Sequence, residues 1–338
     1  MPCPDFALRL QQHADVLLDR TQPDHALHTA CLALYEDCLA RSGPFDVAAS
    51  ALPDGHALSA EDAARCILDF KRTALLLRAV DAAIARQLQR DASVRVLYAG
   101  CGPCAPLLLP LLGRYPAVQL QVQLLDVHAG SLAAAEQLCA LAGVSDRLQP
   151  GLCADAATLE LSDTQRPQVL VAELMQRALA KEPQVAVLLH LLPQCAADTV
   201  LVPERIEIRL ALADLGREFD PAAPRRRVDL GALLQLDQAA VPLLRDAASA
   251  GVIDCPALQV PADADPGLSL LLRTRVHAAA GAVLEDYDSG LSYPQVLHAV
   301  GPTQPGQPIH ARYRLGPDPG FEVWLDHSQR HGAGVAST

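Results

Sequence analysis

Apolar residues recur at helical spacing through residues 5–42, which predicts amphipathic helices in this part of the chain. The positions that carry the pattern include Phe6, Leu8, Leu10, Leu27, Cys31 and Leu34. Pro44 and the "LPDGH" of residues 52–56 interrupt it. A further helix is predicted from Ser59, an N-cap residue followed by acidic residues, to the residue before Asp91.

From residue 94 the pattern changes to short apolar runs that alternate with helical stretches. The strand candidates are 94–99, 119–126, 148–153, 168–173 and 199–202, and a helix is predicted over 182–192. Strands that alternate with helices are typical of a doubly wound parallel sheet. Such sheets bind ligands in the crevice at the carboxyl ends of their strands, so functional residues are expected there.

After Pro203 the chain changes to longer extended segments, separated by turns rich in proline and glycine. The segments are "RIEIRLALADL", "LSLLLRTRVHAAAG" and "PIHARYRLG". Helix-forming residues at 221–250 predict an inserted helical arm. The predicted domains are therefore an N-terminal helical segment at 1–58, an α/β domain at 59–203 and a β domain at 204–338.

Composition and charge narrow the possible partners. A chain of 338 residues is long enough for two domains that each bury a core. The formal net charge of −12 argues against a nucleic-acid or anionic-membrane binder, and the run Arg225–Arg227 is too short to form a basic face. The first residues lack the pattern of a leader peptide, and no run approaches the ~18 apolar residues of a membrane span. We expect a cytoplasmic protein.

The stretch "VRVLYAGCGPCAP" at 94–106 has two chemical interpretations. Cys101 and Cys104 have the spacing of a thioredoxin redox pair, whereas Gly100 and Gly102 fit a nucleotide-binding turn at the end of a strand. Thioredoxins carry an aromatic residue before the first cysteine, but here that residue is Gly100. No second CxxC pair accompanies the first among the ten cysteines, so no zinc site is predicted.

Acidic residues at the next two strand ends support the nucleotide interpretation. Asp126 ends the second strand, where a carboxylate can accept hydrogen bonds from ribose hydroxyls. Asp155 follows the third strand, where it could accept from an adenine amino group. A dinucleotide would require a third glycine for its pyrophosphate, but Pro103, Cys104 and Pro106 occupy that region. The pattern favours a nucleoside ligand that lacks phosphate.

These features together resemble class I S-adenosylmethionine-dependent methyltransferases. The resemblance implies S-adenosylmethionine as the cofactor and a Rossmann-like sheet. It also implies a set of cofactor-binding residues: Gly100, Cys101, Gly102, Asp126, Asp155 and Ala156.

The segment "VAELMQRALAKEPQ" resembles the double-glutamate loop of protein arginine methyltransferases. Glu173 and Glu182 are nine residues apart, and the resemblance implies that they clamp a guanidinium or amine and act as the catalytic residues. Arg72 in "LDFKRTALLLRAV" would hold the methionine carboxylate of the cofactor. "LVPERIEI" resembles the exit of that family into a β-barrel-like domain, and the insertion after it resembles a dimerisation arm, which implies a homodimer.

The chain departs from the arginine methyltransferase pattern at several positions. The aromatic N-terminal motif is not evident, and the Thr-His-Trp loop is not recognisable near the C terminus, where "VWLDH" offers Trp324 and His327. Tyr98 replaces the acid of the first strand. These differences favour a small guanidino or amino compound, or a peptide, over protein arginine as the methyl acceptor.

Structural interpretations of the same residues remain open at this point. Glu182 could complement the dipole of the following helix, Asp126 and Asp155 could be caps or turn formers, and Arg72 could lie on an exposed helix face. Two other functions also remain open. The chain could consume S-adenosylmethionine without methyl transfer, for example by cyclisation to an azetidine amino acid, or it could be a non-catalytic assembly subunit.

Overall fold

The computed structural model describes residues 2–45, 47–265, 267–279, 281–300 and 303–325. Helices α1 (Pro4–Leu18) and α2 (Asp24–Ser42) form an N-terminal pair, as the helical pattern predicts. Extended backbone at Pro23 separates them. Phe6 and Leu34 are among the side chains buried between this pair and the rest of the chain. No helix among the described residues is long and apolar enough to cross a membrane.

A short hairpin and two helices lead into the sheet. Strands β1 (Ser50–Leu52) and β2 (Gly55–Ala57) pair antiparallel, and helices α3 (Ala60–Arg65) and α4 (Phe70–Leu88) follow. Ser59 caps α3 as predicted, because its hydroxyl accepts from the Asp62 N–H at 3.1 Å. The predicted continuous helix breaks at Asp69, whose carboxylate accepts from the Arg72 N–H at 3.4 Å and caps α4.

Five parallel strands form the central sheet, which confirms the doubly wound prediction. They are β3 (Val94–Ala99), β4 (Leu120–Asp126), β5 (Leu152–Cys153), β6 (Val169–Ala172) and β7 (Val200–Val202). Helices α5 (Leu109–Leu112), α6 (Ala129–Leu141) and α7 (Gln184–Leu191) connect them. The order is β5-β4-β3-β6-β7, so the direction of winding reverses between β3 and β6. This switch point is where open α/β sheets bind ligands.

The C-terminal part is built from two antiparallel sheets. Its elements in chain order are β8 (Arg205–Ala213), α8 (Leu215–Glu218), β9 (Arg227–Asp237), α9 (Val241–Ala247), β10 (Val252–Asp254), β11 (Leu258–Gln259), β12 (Ser269–Ala279), β13 (Ala282–Leu284), β14 (Gln295–Val296), β15 (Pro308–Arg314) and β16 (Gly320–Leu325). One sheet has the order β13-β12-β8-β9, with β14 paired to β12. The other has the order β10-β15-β11, with β16 paired to β15.

The predicted helical arm at 221–250 is wrong for most of its length. Residues 227–237 form strand β9, which pairs antiparallel with β8 along its whole length, and only Val241–Ala247 is an α-helix. The leucines and alanines of this segment have high helix propensity, but pairing with the buried strand β8 outweighs it. The homodimer was expected because of the helical arm, so this structure does not support it, and it stays a prediction. The three domain boundaries also stay predictions.

Candidate active site

The candidate site is a cavity of about 400 Å³ at the carboxyl ends of β3, β4 and β6. All residues predicted for cofactor binding and catalysis line it: Arg72, Gly100, Cys101, Gly102, Asp126, Asp155, Ala156, Glu173 and Glu182. The structure therefore brings together residues that are up to 110 positions apart in the chain, from Arg72 to Glu182. Among the described residues, no group of three or more His, Cys, Asp and Glu side chains is arranged to hold a metal ion.

The glycine turn after β3 requires its glycines. Gly100 has φ +72° and Gly102 has φ +59°, both in the left-handed region. A Cβ atom on Gly100 would lie 2.6 Å from Leu174 Cγ, which follows Glu173 directly. The turn can therefore pass close to the end of β6 only because Gly100 has no side chain.

Replacing Gly100 by alanine is expected to lower the free energy of unfolding by about 1–3 kcal/mol, because of the positive φ and the clash with Leu174. Gly113→Ala is the control, since Gly113 has φ −68° and open space where its Cβ would be. Urea unfolding of both variants measures the difference. Equal stability of the two would contradict the assigned turn geometry.

The two cysteines of the turn do not have the properties of a redox pair. Cys101 and Cys104 are buried free thiols. Burial raises the pKa of Cys101 well above its usual value, and a hydrogen bond with Cys38 together with burial does the same for Cys104. Redox-active cysteines have lowered pKa values and accessible sulfur atoms. The geometry thus favours a structural role for the pair beneath the glycine turn.

Asp126 is held rigidly at the end of β4. Its Oδ2 accepts from the Gly102 N–H and its Oδ1 accepts from the His128 N–H, each at 2.9 Å. Burial raises the pKa of Asp126, although these hydrogen bonds and the His128 ring partly oppose the shift. Asp126 is thus a loop cap, and each carboxylate oxygen retains a second lone pair for a ligand.

Asp155 and Ala156 lie in the turn that follows β5. The Asp155 Oδ1 accepts from the Ala157 N–H at 2.9 Å, so Asp155 forms an Asx turn, and Ala156 is buried. Both residues line the cavity together with Asp126. The turn-forming interpretation therefore holds for Asp155 and is compatible with contact to a ligand.

Arg72 and Glu173 form a buried ion pair, so the exposed-helix interpretation of Arg72 is wrong. The Arg72 guanidinium contacts Glu173 Oε1, and the two side chains are only 12% and 8% exposed. This oxygen has no other hydrogen-bonding partner among the described residues. Burial raises the pKa of Glu173 more than the charge of Arg72 lowers it. Tyr98, which replaces the expected acid, is buried in the same cavity wall.

Glu182 has no comparable partner. It is 7% exposed, and no Lys, Arg or His nitrogen of the described residues lies within ion-pairing distance of it. Burial and the neighbouring charge of Glu173 raise its pKa to about 7, despite the opposing effects of Arg72 and Gln176. Glu182 is therefore only partly ionised at neutral pH, unlike an ordinary exposed glutamate.

The loop between the two glutamates is hydrogen-bonded to the β domain. The Ala178 N–H donates to Thr274 Oγ1 on β12 at 2.8 Å. The Tyr313 hydroxyl, on β15, donates to the Leu179 carbonyl at 2.7 Å. Ala178 and Leu179 have positive φ values of 56° and 53°, so the loop is held in a conformation that non-glycine residues rarely adopt.

The N-terminal hairpin covers one side of the cavity and was missed by sequence reasoning. The His56 N–H donates to the Lys181 carbonyl at 2.8 Å, and a Cβ on Gly55 would lie 2.7 Å from that same oxygen. The "DG" at 54–55 is a hairpin signal that could have identified it.

A turn of the β domain forms another wall. Gly290 and Leu291 line the cavity, and Asp69 Oδ2 accepts from the Ser289 hydroxyl at 2.6 Å and from the Gly290 N–H at 3.0 Å. No sequence signal marked this turn. Trp324 does not line the cavity, and His327 lies outside the described residues.

Comparison with solved structures identifies the architecture. One match is a chain of the Trypanosoma brucei PRMT1 enzyme-prozyme heterotetrameric complex with AdoHcy, with a TM-score of 0.54. The match covers 79% of this chain and 94% of that chain, at 13% sequence identity. The chain has the fold of an arginine methyltransferase.

This result confirms the predicted resemblance to class I S-adenosylmethionine-dependent methyltransferases, and to arginine methyltransferases in architecture. The arginine methyltransferase fold explains why a parallel sheet is followed by antiparallel sheets and why both contribute to one cavity. No protein-family model matches the chain, and no curated protein matches it.

Proposed function

We propose that the protein is an S-adenosylmethionine-dependent N-methyltransferase whose acceptor is a small guanidino or amino compound or a peptide. One observation carries the proposal: a glycine turn, an acid at the next strand end and two buried glutamates meet in a single cavity at the switch point of the sheet. The arginine methyltransferase fold supports a methyltransferase in general, and the identity of the acceptor rests on the residues of the cavity.

The residues present fit the cofactor. Gly100 and Gly102 line the cavity without side chains, so a ligand can approach the backbone of the turn, and the free lone pairs of Asp126 suit ribose hydroxyls. Asp155 and Ala156 would contact the adenine. Arg72 has five N–H donors and keeps some of them for the methionine carboxylate while paired with Glu173. Bound S-adenosylmethionine would supply an electrophilic methyl group on a sulfonium.

The two glutamates would bind the acceptor nitrogen and prepare it for in-line transfer. Glu173, fixed by Arg72, would orient the nitrogen, because a nucleophile must lie about 3–3.5 Å from the methyl carbon with its lone pair aligned. Glu182, with its pKa raised to about 7, would accept a proton from an amine or guanidine. Both carboxylates would stabilise the positive charge that develops on nitrogen.

The charge of the site favours a small acceptor with a single cationic group. Arg72 neutralises Glu173, and Glu182 is only partly ionised at neutral pH. Arg177, which lies on the loop between the glutamates and also lines the cavity, is exposed and has no acidic partner among the described residues. An acceptor that carries a carboxylate beside its amine or guanidine would match this arrangement.

A non-catalytic assembly subunit is the second candidate. It is favoured by the matched structure, which is a complex of an enzyme with a prozyme. Cyclisation of the cofactor to an azetidine amino acid remains the enzymatic alternative. Analysis of the products distinguishes the three functions. S-adenosylhomocysteine indicates methyl transfer, and methylthioadenosine indicates attack on the γ-carbon. Cofactor binding without any product indicates a non-catalytic subunit.

We expect S-adenosylhomocysteine at about 100 times its dissociation constant to stabilise the protein by about 2.7 kcal/mol, and Asp126→Ala to abolish this effect. Asp163→Ala, which removes an exposed carboxylate outside the cavity, should retain it. Thermal unfolding with and without ligand measures the difference for each variant, so a lower intrinsic stability of Asp126→Ala does not affect the comparison. A parent protein without any ligand-induced shift would rule out the proposed cofactor.

A screen of cationic acceptors with loaded enzyme then tests the reaction itself. 4-Guanidinobutyrate and propylguanidine form a matched pair, because each carries a single guanidinium and they differ only by a carboxylate. We expect faster S-adenosylhomocysteine formation from carboxylate-bearing compounds, and a smaller preference for them in Arg177→Gln. Equal rates for both compounds with parent protein would contradict the acceptor class proposed here.

A further inference from the structure

Gln184 is fully buried at the first position of α7, and its side-chain amide bonds to the backbone on both sides of Glu173. Its Nε2 donates to the Ala172 carbonyl at 3.0 Å, and its Oε1 accepts from the Leu174 N–H at 2.7 Å. Only one orientation of the amide satisfies both groups, because a carbonyl needs a donor and an N–H needs an acceptor.

These two bonds continue the ladder of the parallel sheet past the point where a strand ends. Strand β6 pairs with β7 as far as Val171 and Val202, and Pro203 follows. In a regular parallel ladder, the N–H of residue 204 would donate to the Ala172 carbonyl, and the carbonyl of residue 204 would accept from the N–H of residue 174. Glu204 instead donates its N–H to the Ala278 carbonyl in the β domain.

The Gln184 amide therefore occupies the place of the missing peptide group. Without it, the buried Ala172 carbonyl and the partly buried Leu174 N–H would be left unpaired at the end of β6, and each would lose hydration without gaining a partner. With it, the backbone on both sides of Glu173 is hydrogen-bonded, and the Glu173 side chain contacts Arg72.

We propose that Gln184 is a positioning residue that fixes the direction of Glu173 by completing this ladder. Its consequence for catalysis rests on the proposed function, whereas its effect on Glu173 does not. α7 itself is held by buried apolar side chains such as Val185 and Leu188, so the helix has other means of attachment. The amide is needed specifically at the strand end.

Gln184→Met tests the proposal, because methionine is similar in shape and makes neither bond. Gln194→Met is a matched control: the Gln194 amide likewise donates to a carbonyl, that of Leu159, and accepts from the Leu161 N–H, away from the cavity.

The titration of Glu173 is followed by NMR in protein labelled with carbon-13 at the glutamate carboxyls. The Glu173 signal is the one that is absent from the spectrum of Glu173→Gln. We expect Gln184→Met to shift the Glu173 titration downward and to speed exchange of the Leu174 amide hydrogen at least tenfold, whereas Gln194→Met changes neither.

Turnover provides the catalytic readout. We expect Gln184→Met to lower kcat about 100-fold with an unchanged stabilisation by S-adenosylhomocysteine, as misplacement by ~1 Å would. In a Glu173→Gln background, Gln184→Met should lower kcat no further. A parent-like Glu173 titration in Gln184→Met, or the same change in Gln194→Met, would overturn the proposal.

Gln184→Glu is the second variant if Gln184→Met does not fold. Its carboxyl group can donate to the Ala172 carbonyl only when protonated, so protection of the Leu174 amide should be parent-like at low pH and lost as pH rises. If the ratio of the Leu174 exchange rate in Gln184→Glu to that in the parent does not change with pH, the proposal is contradicted. If the parent methylates no acceptor, the proposed function fails, but the titration and the exchange still decide the role of Gln184.

Discussion

Glu173→Gln is expected to lower the rate of methyl transfer by about 10³-fold while S-adenosylhomocysteine still binds. Glutamine keeps the size of the side chain but removes the charge that, in the proposed function, orients the acceptor nitrogen and stabilises its developing positive charge. Because Arg72 would lose the carboxylate that it contacts, it becomes free to contact the cofactor carboxylate. The measurement is kcat with the acceptor found in the screen, together with calorimetric titration of S-adenosylhomocysteine.

Arg72→Gln is the matched control, since it breaks the same ion pair from the other side. We expect this variant to lose affinity for S-adenosylhomocysteine, whereas Glu173→Gln retains it. Both variants lose the ion pair, so a difference between them cannot come from the loss of the pair alone. If both variants bind the cofactor equally and both lose activity only in proportion to their stability, the pair is structural and Glu173 has no catalytic role.

The parallel sheet was predictable because its strands are mostly apolar and bounded by clear turn residues. The first strand, Val94–Ala99, has the predicted bounds, and the cavity forms where the carboxyl ends of the strands meet. A strand covered by helices on both faces has a nearly continuous apolar sequence, and such a sequence is a strong indication of a buried strand. The site residues at the ends of β3, β4 and β6 follow from that topology.

The β domain was less predictable, because pairing decides its structure. Residues 227–237 have the composition of a helix but pair with β8, whose paired residues are 14–32 positions away and which no local pattern reveals. The same limit applies inside the site. Glu173 could be placed at a strand end, but its partner Arg72 and its support from Gln184 depend on contacts that only the folded chain defines.

The rate of methyl transfer is expected to rise with pH up to about 7 and then to level, because Glu182 must be ionised to accept a proton and its pKa is raised to about 7. Below that value the rate should fall about tenfold per pH unit, and at pH 5 this gives a loss of about 100-fold. Glu182→Gln should be slow and should lack this dependence. Initial rates with saturating acceptor between pH 5 and 9 measure the profile.

Protein stability gives an independent check on Glu182 that needs no acceptor. A raised pKa means that the folded state holds the proton more tightly than the unfolded chain, so Glu182 lowers the free energy of unfolding as pH rises from about 4.5 to about 7. Glu182→Gln removes this contribution, and the variant should gain stability relative to the parent across that window. Asp163→Ala, which changes an exposed acid, should follow the parent. If Glu182→Gln and the parent show the same pH dependence of both rate and stability, Glu182 titrates normally and the base must be sought elsewhere in the cavity.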